Sequence, residues 1–289
     1  MKKVIAILLL LAVFHSDYSV NTFHFIPPQT ARTNKYCFIS DYKPAQSIEE
    51  RIPVPAGYKR VVAAQGTFGD WLRHLPLKEG KPAVHLYNGQ LKADQSVHYA
   101  VVNIDVGTTD LQQCADAVMR MRAEYLYSIN DYNNLHFNFT SGHSIGFKKW
   151  STGFKPVIKG NNVTWGVASA NNATYKSFRE YMNTIFTYAG TSSLSKELKP
   201  VTDIKQIETG DVFIVGGFPG HAVLVVDVCE NIKTKERLFL IQQSYMPAQE
   251  IHVLNNFNST SLSPWYSTNF SGDLITPQWT FTKAQLMRF

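Results

Sequence analysis

The amino-acid sequence predicts an α+β domain, and three features carry that expectation. Two segments in the middle of the chain repeat apolar residues at helical spacing. Four apolar, β-rich runs then follow one another in the last third. Helices before strands, without βαβ alternation, favour helices laid on an antiparallel sheet. The 289 residues suit one large domain or two small ones. With 44% hydrophobic and 17% charged residues the composition is globular, neither disordered nor collagen-like.

From the N-terminus, Lys2 and Lys3 precede an apolar run over 4–14, the charged and apolar regions of a secretory signal. Residues 1–20 are therefore expected to direct export, to the periplasm or the exterior. The run is too short to span a bilayer, and no later stretch reaches 18 apolar residues. Residues 21–56, rich in Pro, Asn, Ser and Thr, read as an extended arm or linker, and 57–289 as a single domain. Residues 67–75 read as a short helix capped by Thr67, with Asp70 favouring its positive end. Segments 83–87 and 90–92 flank Asn88-Gly89, a hairpin signal, and 97–106 reads as a strand. Thr109 and Gln112 form a capping box opening a helix with Leu111, Cys114, Val118, Met121 and Tyr125 on its apolar face. Residues 132–150 read as strand and loop, and 175–188 as a second amphipathic helix with Phe178, Met182 and Ile185 inward. Strands are expected over 211–215, 221–228, 237–243 and 251–254.

The formal charge of +6 suits an anionic surface but falls short of a nucleic-acid-binding patch. No Gly-rich phosphate loop opens a helix, and the nine histidines form neither H-x-x-x-H nor H-E-x-x-H. Cys37, Cys114 and Cys229 are too few and too widely spaced for a four-cysteine zinc site. No cofactor and no metal is expected. Three cysteines allow at most one internal disulfide, so at least one thiol is left over.

Cys114 lies near the start of the capped helix, where unpaired N–H groups favour a thiolate. It also lies on the apolar face, where a cysteine simply packs, so both roles stay open. Cys229 ends an apolar strand and reads as packing; Cys37 falls in the arm. His221 follows the Gly-rich turn 216–220 at the start of a strand, the setting of a general base or of a surface histidine after a turn. On the next strand Gln242 is placed either to orient that ring or to bond loop backbone; being neutral, it would add no charge stabilisation.

Gln113-Cys114, Gly210-Asp211-Val212-Phe213-Ile214, Gly220-His221-Ala222-Val223-Leu224-Val225-Val226 and Ile241-Gln242-Gln243-Ser244 together resemble the CHAP and NlpC/P60 families of papain-like cysteine amidases and peptidases. The resemblance implies a papain-like core over about 110–250, with the helix carrying Cys114 packed on an antiparallel sheet. It makes Cys114 the nucleophile and His221 the base. Gln242 would hold the position usually given to an acidic residue, Ser244 that of a supporting amide, and Gln113 would help polarise the substrate carbonyl. Gln242 and Ser244 depart from the family pattern, which leaves either a weaker triad or a non-catalytic descendant. The implied activity is cleavage of an amide or peptide bond, with a peptide or peptidoglycan-like partner. The alternative is a secreted binding protein for glycan or peptide on the same scaffold, suited by the 13% aromatic content.

A longer set of segments resembles an uncharacterised bacterial family, domain of unknown function 4846. They are Gly69-Asp70-Trp71-Leu72-Arg73-His74-Leu75-Pro76-Leu77, His85-Leu86-Tyr87-Asn88-Gly89, 110–127, Phe139-Thr140-Ser141-Gly142, 210–227 and 243–249. This resemblance covers most of 55–289 and implies no activity.

Overall fold

A computed structural model describes residues 35–168, 170 and 172–289. The expected export signal and the first part of the expected arm lie outside the described residues. In chain order come helix α1 (Ile48–Arg51), strand β1 (Tyr58–Arg60), α2 (Phe68–Arg73) and β2 (His98–Val101). Next are α3 (Cys114–Ser128), β3 (His136–Asn138), β4 (Ser144–Gly146), α4 (Phe147–Ser151), β5 (Phe154–Lys159), β6 (Asn162–Val167), α5 (Tyr175–Tyr188) and α6 (Thr191–Glu197). The last third holds β7 (Lys199–Pro200), β8 (Val212–Val215), β9 (His221–Asn231), β10 (Arg237–Gln243) and β11 (His252–Leu254). It closes with β12 (Tyr266–Ser267), β13 (Leu274–Ile275), β14 (Thr280–Phe281) and β15 (Leu286–Arg288). The fold is α+β, built mostly from antiparallel sheet with a few helices.

The main sheet runs β2-β11-β10-β9-β8-β15-β7, with β1 also on β9 and β12 on β10. Strands β8, β9 and β10 are near-continuous apolar runs because both faces are covered. Ala222, Leu224, Val226, Leu238 and Leu240 join the core that includes Val118 and Met121 of α3. Val223, Val225, Phe239 and Ile241 join a second core with Phe213 and Phe281. Each fully buried Val, Leu, Ile or Phe side chain among these contributes roughly 1.5–3 kcal/mol.

Helix α5 spans the residues that periodicity predicts, and the Thr174 hydroxyl caps it by accepting from the Ser177 N–H. Helix α3 begins later than the capping box predicts. Residues 109–113 instead make tight turns, with Leu111 N–H donating to Thr109 O and Gln113 N–H to Leu111 O. The carboxylate of Asp116 accepts from the Gln113 N–H at 3.1 Å, and the Gln112 side chain is drawn to Arg120 rather than back to Thr109. The Asn88-Gly89 turn forms, with Leu86 N–H donating to Gln90 O and Lys92 N–H to Val84 O, but its arms pair as the isolated bridge His85↔Leu91 rather than as strands. The hairpin leans instead on segment 244–250, where Tyr87 N–H donates to Ala248 O and Glu250 N–H to His85 O. Residues 132–150 add α4, which the strand-and-loop reading does not contain.

The described part of the expected arm, 35–56, is packed rather than extended. The Tyr36 ring lies 5.1 Å from that of Trp71 and its hydroxyl donates to the Trp71 carbonyl, while Ile48 and Ile52 are fully buried. These anchors are irregularly spaced, so no sequence period announces them. Among the described residues no helix is long and apolar enough to cross a membrane.

Asp227, buried in β9, receives Arg60 Nε and Arg73 Nε at 2.8 Å each. Arg60 also donates to the carbonyls of Glu49 and Ile52, so one carboxylate ties α1, β1 and α2 to the sheet. Removing one partner of a buried ion pair strands the others. Asp227→Ala should therefore lower the unfolding free energy by about 3–5 kcal/mol in denaturant titration. A loss below about 1 kcal/mol would contradict this account.

Candidate active site

The turn before α3 is clamped from two sides. Arg120, fully buried, donates through Nη1 to Gln112 Oε1 at 2.8 Å and through Nε to Glu124 Oε1 at 2.6 Å. The Ser244 hydroxyl sits 2.9 Å from the Gln112 carbonyl and 2.8 Å from that of Gln249. Asp110 Oδ1 accepts from the Ala248 N–H at 2.7 Å and from Gln113 Nε2 at 3.0 Å. Ser244 and Asp110 thus fasten segment 244–250 to the turn that precedes Cys114, and Gln113 braces Asp110 within that turn.

Cys114 is the first residue of α3. The N–H groups of Ala115, Ala222 and Cys114 itself point at its sulfur. Ala222 is the residue after His221, so the thiol lies at the start of β9. Tyr245 connects the two groups: its ring is 5.0 Å from the His221 imidazole, and its hydroxyl is near enough to sense charge on Cys114. Gly220 lets β9 begin there. A methyl at that position would lie 2.8 Å from the Val215 carbonyl and closer still to Gly217 O and Thr191 Oγ1.

His221 is 1% exposed, packed against Trp279 and Phe281. Its Nε2 lies 2.8 Å from Gln243 Oε1. The amide nitrogen of Gln243 donates to Gln278 Oε1 at 2.8 Å and faces His252 Nε2 at 3.4 Å. His252 Nδ1 must donate to the Glu250 carbonyl, 2.8 Å away, which leaves its Nε2 an acceptor. With two acceptors facing its nitrogen, Gln243 turns its oxygen to His221. His221 therefore carries its proton on Nε2 and a lone pair on Nδ1.

Gln242, the partner expected from sequence, does not reach the ring. It opposes Leu224, on the face shared with Leu238 and Leu240, and its Oε1 is buried without a hydrogen bond. Gln243 was missed because successive residues of a strand face opposite sides and sequence does not fix the register with β9. His252 lacks any local motif; only pairing of β11 with β10 brings it behind Gln243.

Burial sets the protonation of the pair. It pushes the Cys114 thiol up to about 11, aided by Asp116, against the three N–H groups that favour the thiolate. The helix start alone does not make this thiol acidic. Burial pulls His221 down to about 4, with the charge of Lys92 adding to it, against the bond its Nε2–H makes to Gln243 Oε1. His252 falls to about 3, again chiefly through burial. Cys229 is buried and pushed up to about 12, and Cys37 is exposed. Among the described residues no three His, Cys, Asp or Glu side chains converge as a metal site requires.

Fold and site together define an α+β protein in which the cysteine that opens α3 lies beside an amide-held imidazole at the end of a strand of the antiparallel sheet. The chain belongs to the family described as Domain of unknown function (4846), which matches residues 48–288. No curated protein and no solved structure matches the chain.

Both imidazoles titrate below the ordinary value of 6.5 in the folded state. Unfolding in acid therefore takes up protons. Their contribution to stability is complete above about pH 6.5 and is lost as pH falls toward 4. Denaturant titrations should show stability falling across that window. His252→Gln should flatten the fall by up to about 3 kcal/mol at pH 4. An unchanged pH slope would contradict the assignment.

Proposed function

We propose that this protein is an exported cysteine hydrolase with a papain-like core that cleaves an amide or peptide bond, with cell-wall peptides as its substrate class. The observation that carries the reading is the bond from His221 Nε2–H to Gln243 Oε1, which leaves the Nδ1 lone pair as the base at the strand end where Cys114 sits. In the reaction, Cys114 Sγ attacks the carbonyl carbon as its proton passes to His221 Nδ1. The charges form together, and their attraction in these buried surroundings offsets part of the desolvation that keeps both groups neutral at rest. The C–N bond breaks as the leaving nitrogen takes the proton from Nδ1. Water then attacks the thioester, gives its proton to Nδ1, and releases the acid while the sulfur regains a proton. Backbone N–H groups at the start of α3 stabilise the oxyanion. Gln243, not Gln242, orients the ring, in the neutral manner of an amide.

A second reading, a secreted binding protein for glycan or peptide, draws on the raised thiol and the neutral orienting group. Mass spectrometry after incubation with an activated peptide ester separates the two. The hydrolase reading expects an acyl adduct on Cys114 that turns over, no adduct in Cys114→Ala, and acylation slowed at least about tenfold in Gln243→Leu. Gln242→Leu should stay within about twofold of the parent, since that side chain does not touch the ring. No adduct on Cys114, or equal effects of the two glutamine substitutions, would overturn the assignment.

A further inference from the structure

Lys92 closes the Asn88-Gly89 hairpin, its N–H donating to the Val84 carbonyl at 2.9 Å, and it is 6% exposed. Its ammonium lies 5.3 Å from the centre of the Tyr245 ring, the same ring that lies 5.0 Å from His221. Among the described residues no carboxylate lies within the 4.0 Å of an ion pair with it. Asp94 acts on it from farther off and is held by the N–H and hydroxyl of Ser96. Burying an ammonium against an aromatic wall without a counterion is costly. Here the charge also bears on His221 and His252, both of which it disfavours charging. A cation so placed supplies what neither imidazole supplies near neutral pH, a single fixed positive charge inside the site.

We propose that Lys92 is the anion-binding residue of this site and receives a carboxylate of the substrate, which makes the preferred substrate a peptide with a free carboxylate close to the scissile bond. One ammonium with no carboxylate in ion-pair contact matches a monoanion better than a phosphate dianion. The Tyr245 ring beside it offers an apolar surface to the carbon skeleton that bears the carboxylate. The proposal rests on the reading of Cys114 as the accessible nucleophile.

The test compares alkylation of Cys114 in the full chain by iodoacetate and by iodoacetamide, which differ in charge, with exposed Cys37 as the internal reference. The ratio of the two rates cancels changes in thiol acidity, which affect both reagents. The ratio at Cys114 should exceed that at Cys37 and should fall with added salt. Lys92→Met should lower it about fivefold or more, and Lys92→Arg should retain most of it. An equal ratio at the two cysteines of the parent protein, or an unchanged ratio in Lys92→Met, overturns the anion subsite. Failure of iodoacetamide to label Cys114 in the folded protein overturns instead the nucleophile on which the subsite depends, and the proposal with it.

Discussion

The hydrogen bond between His221 Nε2 and Gln243 Oε1 is the constraint from which the chemistry of the site follows. A lone imidazole in a buried pocket has two equivalent nitrogens to offer. Here the amide of Gln243 is itself committed, because Gln278 and His252 both present acceptors to its nitrogen. The order runs from the Glu250 carbonyl through His252 and Gln243 to His221, four groups from three segments of chain. Such a chain is self-consistent in only one pattern of donors and acceptors, so the backbone fixes a proton position two side chains away.

The fold serves that site by stapling two turns together. Ser244 and Asp110 join the turn before α3 to segment 244–250, and Arg120 braces the same turn through Gln112. The hairpin carrying Lys92 is laid against the same segment. Cys114, Tyr245 and Lys92 come from distant stretches and gather where β9 begins. Burial then acts in two directions. It holds the thiol and the imidazole neutral, while the N–H groups of Ala115 and Ala222 point at the sulfur and favour charge on it. The resting site is thus a neutral pair, and in the hydrolase we propose, proton transfer would accompany attack.

Elements governed by local periodicity were legible in the sequence. Helix α5 and the strands β8 to β10 are visible because a 3.6-residue period, or an unbroken apolar run, belongs to one segment alone. Cys114 and His221 were legible for a similar reason: each sits at a marked boundary, one at a helix start and one after a glycine turn. What depended on partners far along the chain was not legible. The start of α3 moved because Gln112 finds Arg120, which a capping pattern cannot foresee. Gln242 and Gln243 are adjacent, and only the register of β10 against β9 decides which faces the imidazole. Lys92 carries no motif at all; its meaning comes from the Tyr245 ring above which it is held.

The central claim concerns one proton, and nitrogen NMR of histidine-labelled protein near neutral pH reads it directly, with His221 assigned by loss of its signals in His221→Gln. The account predicts that Nε2 of His221 bears the proton, that Nδ1 is unprotonated, and that Gln243→Leu abolishes this preference. A proton on Nδ1, or on both nitrogens at neutral pH, would contradict it.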